Sequence, residues 1–292
     1  MALGLVLEGG AMRGMFTAGV TDVMMENGIE FDGLVGVSAG AVFGCNYKSK
    51  QPGRTIRYNL KYCKDPRYAS FRSLIKTGSV YGEKFCYEEL PNVLDPYDYE
   101  TCEKNQLAFY VVATDVETGK AVYHKCMDCR ENDLLWMRGS ASMPLVSSIV
   151  EVDGYKLLDG GMADSIPLKF SEQQGYNKNI VILTQPLGFV KKKNKMLPIM
   201  RVKLRKYPKL LETIAHRHEV YNDTLRYIDE QETAGDIYVI RPKFKLDVGS
   251  VEHDSDKLKA VYEHGRAVAE SELEQILSFI KETKGKKEGN EI

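Results

Sequence analysis

The sequence predicts a three-layer α/β/α fold, with a mainly parallel central sheet covered by helices and a helical C-terminal extension. Three observations carry the prediction. Within roughly the first fifty residues two apolar runs, Leu3–Leu7 and Phe31–Val37, are each followed by apolar residues at helical spacing; strand–helix–strand–helix order implies a parallel sheet with right-handed crossovers. Two later apolar runs, Gln106–Thr114 and Asn179–Thr184, read as strands. After Pro186 the composition turns basic and the pattern helical.

Taken in order, Leu3–Leu7 suits a strand buried on both faces. Met12–Glu26 carries Met15, Phe16, Ala18, Gly19, Val20, Val23 and Met24 at helical spacing, and Asn27-Gly28 stops it. Ala39–Tyr47 reads as the helix after the second strand. Arg54–Cys63 and Glu83–Leu90 are expected helices, separated by an aromatic stretch with Tyr68, Phe71, Leu74, Ile75 and Tyr81. Glu117–Lys120 is a turn into a returning strand, Ala121–His124. Leu134–Ser142 reads as a helix stopped at Met143-Pro144. Val146–Val152 and Tyr155–Leu158 flank Asp153-Gly154, a hairpin signal. Helices are expected over Ile199–Tyr227 and Ser255–Ile280, with a strand at Asp236–Ile240 between them. The expected organisation is a catalytic domain over residues 1–188, a mostly helical extension over 189–283 and a disordered tail over 284–292. No internal repeat is visible.

The chain has 292 residues, 43% of them hydrophobic, enough for a sizeable core. With 40 Lys and Arg against 41 Asp and Glu, it does not read as a nucleic-acid binder. It has no apolar run of about 18 residues. The N-terminus has no basic region followed by a cleavage site, so the expected location is the cytoplasm. The six cysteines (45, 63, 86, 102, 126 and 129) read as free thiols. Cys126 and Cys129 form a C-x-x-C with no second pair at zinc spacing, which reads as a loop with two incidental thiols. No metal and no cofactor are expected.

Chemistry is carried by two glycine-framed motifs about thirty residues apart. The first is Leu5-Val6-Leu7-Glu8-Gly9-Gly10-Ala11-Met12-Arg13-Gly14, a strand entering a glycine-rich turn that opens a helix. It lacks both the G-x-G-x-x-G spacing and the lysine-serine pair of nucleotide-binding loops. The second, Gly36-Val37-Ser38-Ala39-Gly40, has the form of a nucleophile elbow. One supplies a serine to attack, the other backbone N–H groups to hold an oxyanion. A serine hydroxyl needs a base. Leu157-Leu158-Asp159-Gly160-Gly161 offers one, a carboxylate where an apolar strand ends at the sheet's C-terminal edge.

These three motifs resemble those of the patatin-like phospholipase family, as do Ala113-Thr114-Asp115-Val116-Glu117-Thr118-Gly119 and Gly139-Ser140-Ala141-Ser142-Met143-Pro144. The resemblance covers roughly residues 3–185, and the region beyond about 190 looks like the C-terminal extension of a bacterial subgroup. It implies a core of the FabD/lysophospholipase-like type and a Ser–Asp dyad without histidine. Ser38 would be the nucleophile of an acyl-enzyme mechanism and Asp159 the general base. The loop Gly9, Gly10, Ala11, Met12, Arg13 and Gly14 would form the oxyanion hole, through the N–H groups of Gly10, Ala11 and Met12. Arg13 would fix that loop or meet an anionic head group. Gly36, Gly40, Gly160 and Gly161 would support the two turns. The substrate implied is an acyl lipid or ester. One departure is Ala11, where many members carry a third glycine.

Two other readings stay open at this stage. One is a lipid-binding or regulatory protein that keeps the site with little turnover. The other is a Ser–His–Asp α/β-hydrolase drawing on His216, His218, His253 or His264. Ser38 follows only the second strand, early for that fold, and none of these histidines ends a buried strand. His124 ends a strand but precedes Asp159. Acyl-carrier transacylases, which rely on a catalytic histidine, are a further and weaker comparison. Residues 191–209 hold nine Lys or Arg and no Asp or Glu, interleaved with Leu197, Ile199, Met200, Val202 and Leu204. The stretch Lys191–Lys209 reads either as a solvated surface or as a peripheral membrane contact, with Arg201, Arg205 and Lys206 alternatively meeting an acidic protein. Head group, acyl position and oligomeric state are not encoded in these motifs.

Overall fold

A computed structural model describes residues 1–288, with side chains through Thr283. The chain begins with β1 (Leu3–Leu7), a short 3-10 turn at Ala11–Arg13, and α1 (Gly14–Glu26). Next come β2 (Gly33–Val37) and α2 (Ala39–Lys48). Both strands are buried throughout, as continuous apolar runs in a parallel sheet should be. Then follow α3 (Arg54–Tyr62), α4 (Phe71–Thr77), a π-helical segment at Phe85–Leu94 and α5 (Tyr99–Lys104). An ordinary helix was the expectation over Glu83–Leu90. Pro91 lies inside this segment, where its missing N–H and bulky ring oppose regular α-helical bonding.

The middle of the chain supplies β3 (Ala108–Asp115), β4 (Ala121–Cys126), α6 (Glu131–Ser140), β5 (Val150–Val152), β6 (Tyr155–Asp159), α7 (Leu168–Gln173) and β7 (Lys178–Ile182). The rest is α8 (Leu197–Lys203), α9 (Pro208–Thr233), β8 (Ile237–Ile240), α10 (Ser255–Ser271) and α11 (Leu273–Glu288). The helical pattern expected over Ile199–Tyr227 is met by two helices, α8 and α9. Pro208 opens α9, and a residue before proline avoids the helical conformation, so Tyr207 breaks the run. The helix expected over Ser255–Ile280 divides at Glu272. Helix α11 carries on to Glu288, into the stretch expected to be a disordered tail; residues 289–292 of that stretch lie outside the described residues.

The eight strands form one sheet in which β3, β2, β1, β7 and β8 run parallel in that order. β4, β5 and β6 are antiparallel additions at the β3 end. Alternate residues of β1 feed opposite faces. Leu3, Leu5 and Leu7 join a core with α1, α2 and α10, while Val6 joins a second core with α7 and α9. The layers are therefore helix, sheet, helix.

Elements beyond residue 188 are built into this core. β8 extends the sheet beside β7. α10 lies against α1 with backbones touching, because a Cβ on Gly19 would fall 2.1 Å from Tyr262 O and one on Gly265 2.1 Å from Phe16 O. Asp22 of α1 accepts from Tyr262 Oη at 2.7 Å and Gly53 N at 2.9 Å. Burial pushes this carboxyl up to about 6.

Candidate active site

Strand pairing brings Ser38 and Asp159 together. β4 occupies one edge of β3 over Phe109–Thr114, so β2 and β6 must share the other edge. β2 pairs there as far as Val37↔Val112, and β6 takes over at Ala113↔Asp159. The residue after Val37 and the last residue of β6 thus meet at consecutive positions along one edge. Ser38 Oγ donates to Asp159 Oδ2 at 2.7 Å, and both residues are buried.

The turn that carries Ser38 is strained. Its φ of 54° and ψ of −121° place a non-glycine residue in a sparsely populated region. The flanking glycines permit this, since a Cβ on Gly36 would lie 2.5 Å from Gly40 O and one on Gly40 2.5 Å from Leu7 O. Ser38 also opens α2, whose N-terminal end favours negative charge on its oxygen. Ser140, at the end of α6, holds the turn. Its Oγ accepts from Ser38 N at 2.8 Å and donates to Val112 O at 2.5 Å. The role of Ser140 is absent from the sequence analysis; its only signal was its place in the Gly139–Pro144 motif.

Asp159 is held as firmly. Its Oδ1 accepts from Gly161 N at 2.7 Å, and its backbone N donates to Ser142 O at 2.8 Å. Thr114 Oγ1 donates to its carbonyl at 2.8 Å. Burial pushes the Asp159 carboxyl above the ordinary 3.8, while the Ser38 hydroxyl, the Arg217 guanidinium and the Gly161 N–H pull it back down. A hydroxyl bonded to a buried, strengthened base is the geometry that activates an oxygen nucleophile.

The glycine-rich loop runs past this pair, with Gly9 close enough that a Cβ there would lie 3.1 Å from Ser38 Cβ. Gly9 N donates to Ser165 O at 3.4 Å, Arg13 N to Gly10 O at 3.1 Å, and Gly14 N to carbonyls within the loop. The N–H groups of Gly10, Ala11 and Met12 are the loop's remaining candidate donors. Ala11 adopts φ 48°, the left-handed conformation that glycine takes at no cost, so the departure noted in the sequence is absorbed as local strain.

On the α2 side, Ser38, Ala11 and Met12 open into an apolar pocket walled by Val42, Phe43, Tyr58, Tyr87, Leu90 and Met137. Tyr68 and Tyr81 of the aromatic stretch line it too. Phe71 and Ile75 do not: both stand 72% exposed on α4.

No histidine is bonded to Ser38 or Asp159 among the described residues. His216 meets Glu219 at 2.8 Å, His253 meets Cys63 O at 2.5 Å, and His264 stacks on Phe244 with its ring tilted against Phe16. His124 meets Asp133 at 2.6 Å and stacks on Trp136. His124, Cys126 and Asp133 have ligand atoms within 4.8 Å of one another. Asp133 is already engaged there, accepting from His124 and from the N–H groups of Met127, Asp128 and Cys129. Cys129 lies beside Cys102, with sulfurs 2.6 Å apart, and both are free thiols.

The basic stretch is not uniformly a surface. Met200 and Leu204 are buried and Lys191 is half-buried, whereas Ile199 and Val202 are 54% and 73% exposed. Lys203 Nζ donates to Leu145 O at 2.9 Å, and Ser148 Oγ donates to Thr77 O at 3.1 Å. α8 and α4 therefore flank the same segment, next to Ser147, which lines the pocket. No helix among the described residues is long and apolar enough to cross a membrane.

Comparison with known proteins gives two family matches. Residues 5–170 match the patatin-like phospholipase family, and residues 207–281 match a domain of unknown function, DUF6363. The uncharacterized protein YjjU of Escherichia coli is 30% identical over 193 residues, which cover 63% of this chain and 52% of YjjU. A putative patatin-like phospholipase domain-containing protein of Caenorhabditis elegans, M110.7, is 24% identical over 62% of this chain and 16% of its own length. The chain thus spans about half of the first relative and much less of the second. Among solved structures, VipD from Legionella pneumophila aligns at a TM-score of 0.42 and 11% identity, over 92% of this chain and 67% of its own. With its matching segment covering more than half its length and holding both Ser38 and Asp159, the chain belongs to the patatin-like phospholipase family.

Proposed function

We propose that this protein is a serine lipid acyl hydrolase of the phospholipase A or lysophospholipase type. The observation that carries the proposal is the 2.7 Å hydrogen bond to a buried Asp159 from Ser38, which lines an apolar pocket. Ser38 Oγ attacks the ester carbonyl while Asp159 takes its proton. N–H groups of Gly10, Ala11 and Met12 hold the oxyanion, and loss of one such donor typically costs about 10²–10³ in rate. The tetrahedral intermediate collapses to an acyl-enzyme, and Asp159 gives its proton to the departing alcohol. Water, deprotonated by Asp159, then releases the fatty acid and restores Ser38.

The apolar pocket takes the acyl chain. Exposed Phe71 and Ile75 on α4, Ile199 and Val202 on α8, and neighbouring lysines supply a peripheral contact with a lipid surface beside the pocket. Such a contact keeps the protein at the membrane face without spanning it.

Hydrolysis of p-nitrophenyl esters by wild type, Ser38→Ala and Asp159→Asn tests the reading. Each substitution is expected to lower kcat by about 10³-fold or more, and the double variant to lose little beyond that. Equal activity in all three proteins would refute the assignment of the pair. A wild type without turnover would favour the lipid-binding reading.

A further inference from the structure

The chain gathers cations on the far side of Asp159. Arg217, on α9, places a guanidinium nitrogen beside the Asp159 turn: a Cβ on Gly161 would lie 3.2 Å from Arg217 Nη2 and 3.0 Å from Asp159 Oδ1. The same nitrogen reaches Ser165 Oγ at 3.5 Å. Arg13, from the glycine-rich loop, and Lys191 complete the group. Lys191 Nζ lies 4.1 Å from the centroid of the Tyr221 ring, whose hydroxyl donates to buried Glu8 at 2.7 Å.

These cations are incompletely matched. The Nε atoms of Arg13 and Arg217 are buried without a hydrogen-bond partner, as is the neighbouring Thr184 Oγ1. None of Arg13, Lys191 and Arg217 has a carboxylate within ion-pairing distance among the described residues. Elsewhere the chain pairs such groups closely, with Arg57 on Asp95 and Arg266 on Glu26 at 2.7 Å each. Glu8 accepts from Tyr221 Oη and from Thr184 N, and its charge acts on Lys191 without a direct ion pair. Burial, with Arg217 and Arg13 nearby, pushes the Lys191 ammonium down to about 8 against the opposing pull of Glu8. Three half-buried cations share the charges of two carboxylates, Glu8 and Asp159, and two of them keep a buried Nε without a partner, so a bound anion would offset the positive charge left over.

We propose that Arg13, Lys191 and Arg217 form a subsite for the phosphate of an ester substrate's head group. The placement follows from the chemistry under "Proposed function", on which this inference rests. Asp159 protonates the leaving alcohol, so that alcohol departs on the Asp159 side of Ser38. A phosphate a few bonds further along meets Arg217 first. Guanidinium groups suit it, because they offer planar paired donors to phosphate oxygens. Two of the three cations come from the region after residue 188, which thereby acquires a part in substrate selection.

The test is calorimetric titration of the wild-type chain with sn-glycerol 3-phosphate, inorganic phosphate and glycerol. The phosphate ester is expected to bind at least about tenfold more tightly than either of the others. The Lys191→Met/Arg217→Gln variant should lose about tenfold or more in that affinity, and Lys191→Arg/Arg217→Lys should retain most of it. Retention of binding by both variants would overturn the proposal, as would glycerol 3-phosphate binding no better than glycerol. Loss in the conservative variant alongside an unchanged melting curve would also overturn it. Inorganic phosphate binding as tightly as the ester would assign the cations to free phosphate and overturn the head-group assignment. None of these ligands is turned over, so the result is independent of whether Ser38 and Asp159 catalyse hydrolysis.

Discussion

The two sides of Ser38 are made of opposite materials. Towards α2 the walls are Val42, Phe43, Leu90, Met137 and tyrosine rings. Towards α9, beyond Asp159, Arg217 stands at the Gly161 turn, and the charges of Arg13, Arg217 and buried Glu8 act on Lys191. The apolar wall comes from the segment that matches the patatin-like family, whereas α9 and Lys191 lie beyond it. The contrast suggests a division of labour. In the proposed reading the core would supply the reaction and a place for hydrocarbon, and the later region would add Lys191 and Arg217 to the charge of Arg13. An amphiphile with its ester between chain and head group is the substrate shape that such a site would select.

The largest effect should come from closing the apolar side. Val42→Trp should reduce kcat/KM for a long-chain p-nitrophenyl ester by about 100-fold relative to a butyrate ester, read from an acyl-chain series. A ratio that does not change with chain length would break the comparison. Next in size is the lipid surface. Lys192→Ala/Lys193→Ala removes two exposed charges worth about 1 kcal/mol each near anionic lipid, so co-sedimentation with anionic vesicles should weaken by roughly tenfold or more. Wild-type protein that binds neutral and anionic vesicles equally would contradict the docking face.

The smallest effect concerns the charged side and is read as a pH shift. Asp159 acts as a base only when ionised, so activity should fall as pH drops through its raised value, above the ordinary 3.8. Arg217 favours the ionised form. Arg217→Gln should therefore move the acid limb of kcat/KM upward, by up to about one pH unit. An acid limb that stays in place would separate Arg217 from the reaction chemistry.

Much of this was legible in the chain. Ser38, Asp159 and the glycine loop stand on strand–turn signals that are local, and local signals survive without the fold. The hairpins at Glu117–Lys120 and Asp153-Gly154 were readable for the same reason. Ser140 was not, because its bond to Ser38 N spans 102 residues. Arg217 reads in sequence as one more charge on a helix, and only the seating of α9 against the Gly161 turn brings it to Asp159. The glycine contact of α1 with α10 is equally non-local, joining Gly19 to Tyr262 and Gly265 to Phe16. The break before α9 has a local sign in Pro208, which opens that helix.

The central claim is that Ser38, driven by Asp159 and no histidine, forms the acyl-enzyme. A fluorophosphonate probe mapped by mass spectrometry tests it most directly. The account predicts one modified residue, Ser38, with labelling abolished in Ser38→Ala, slowed strongly in Asp159→Asn and unaffected in His216→Ala or His218→Ala. Label on another residue, or full-rate labelling of Asp159→Asn, would contradict it.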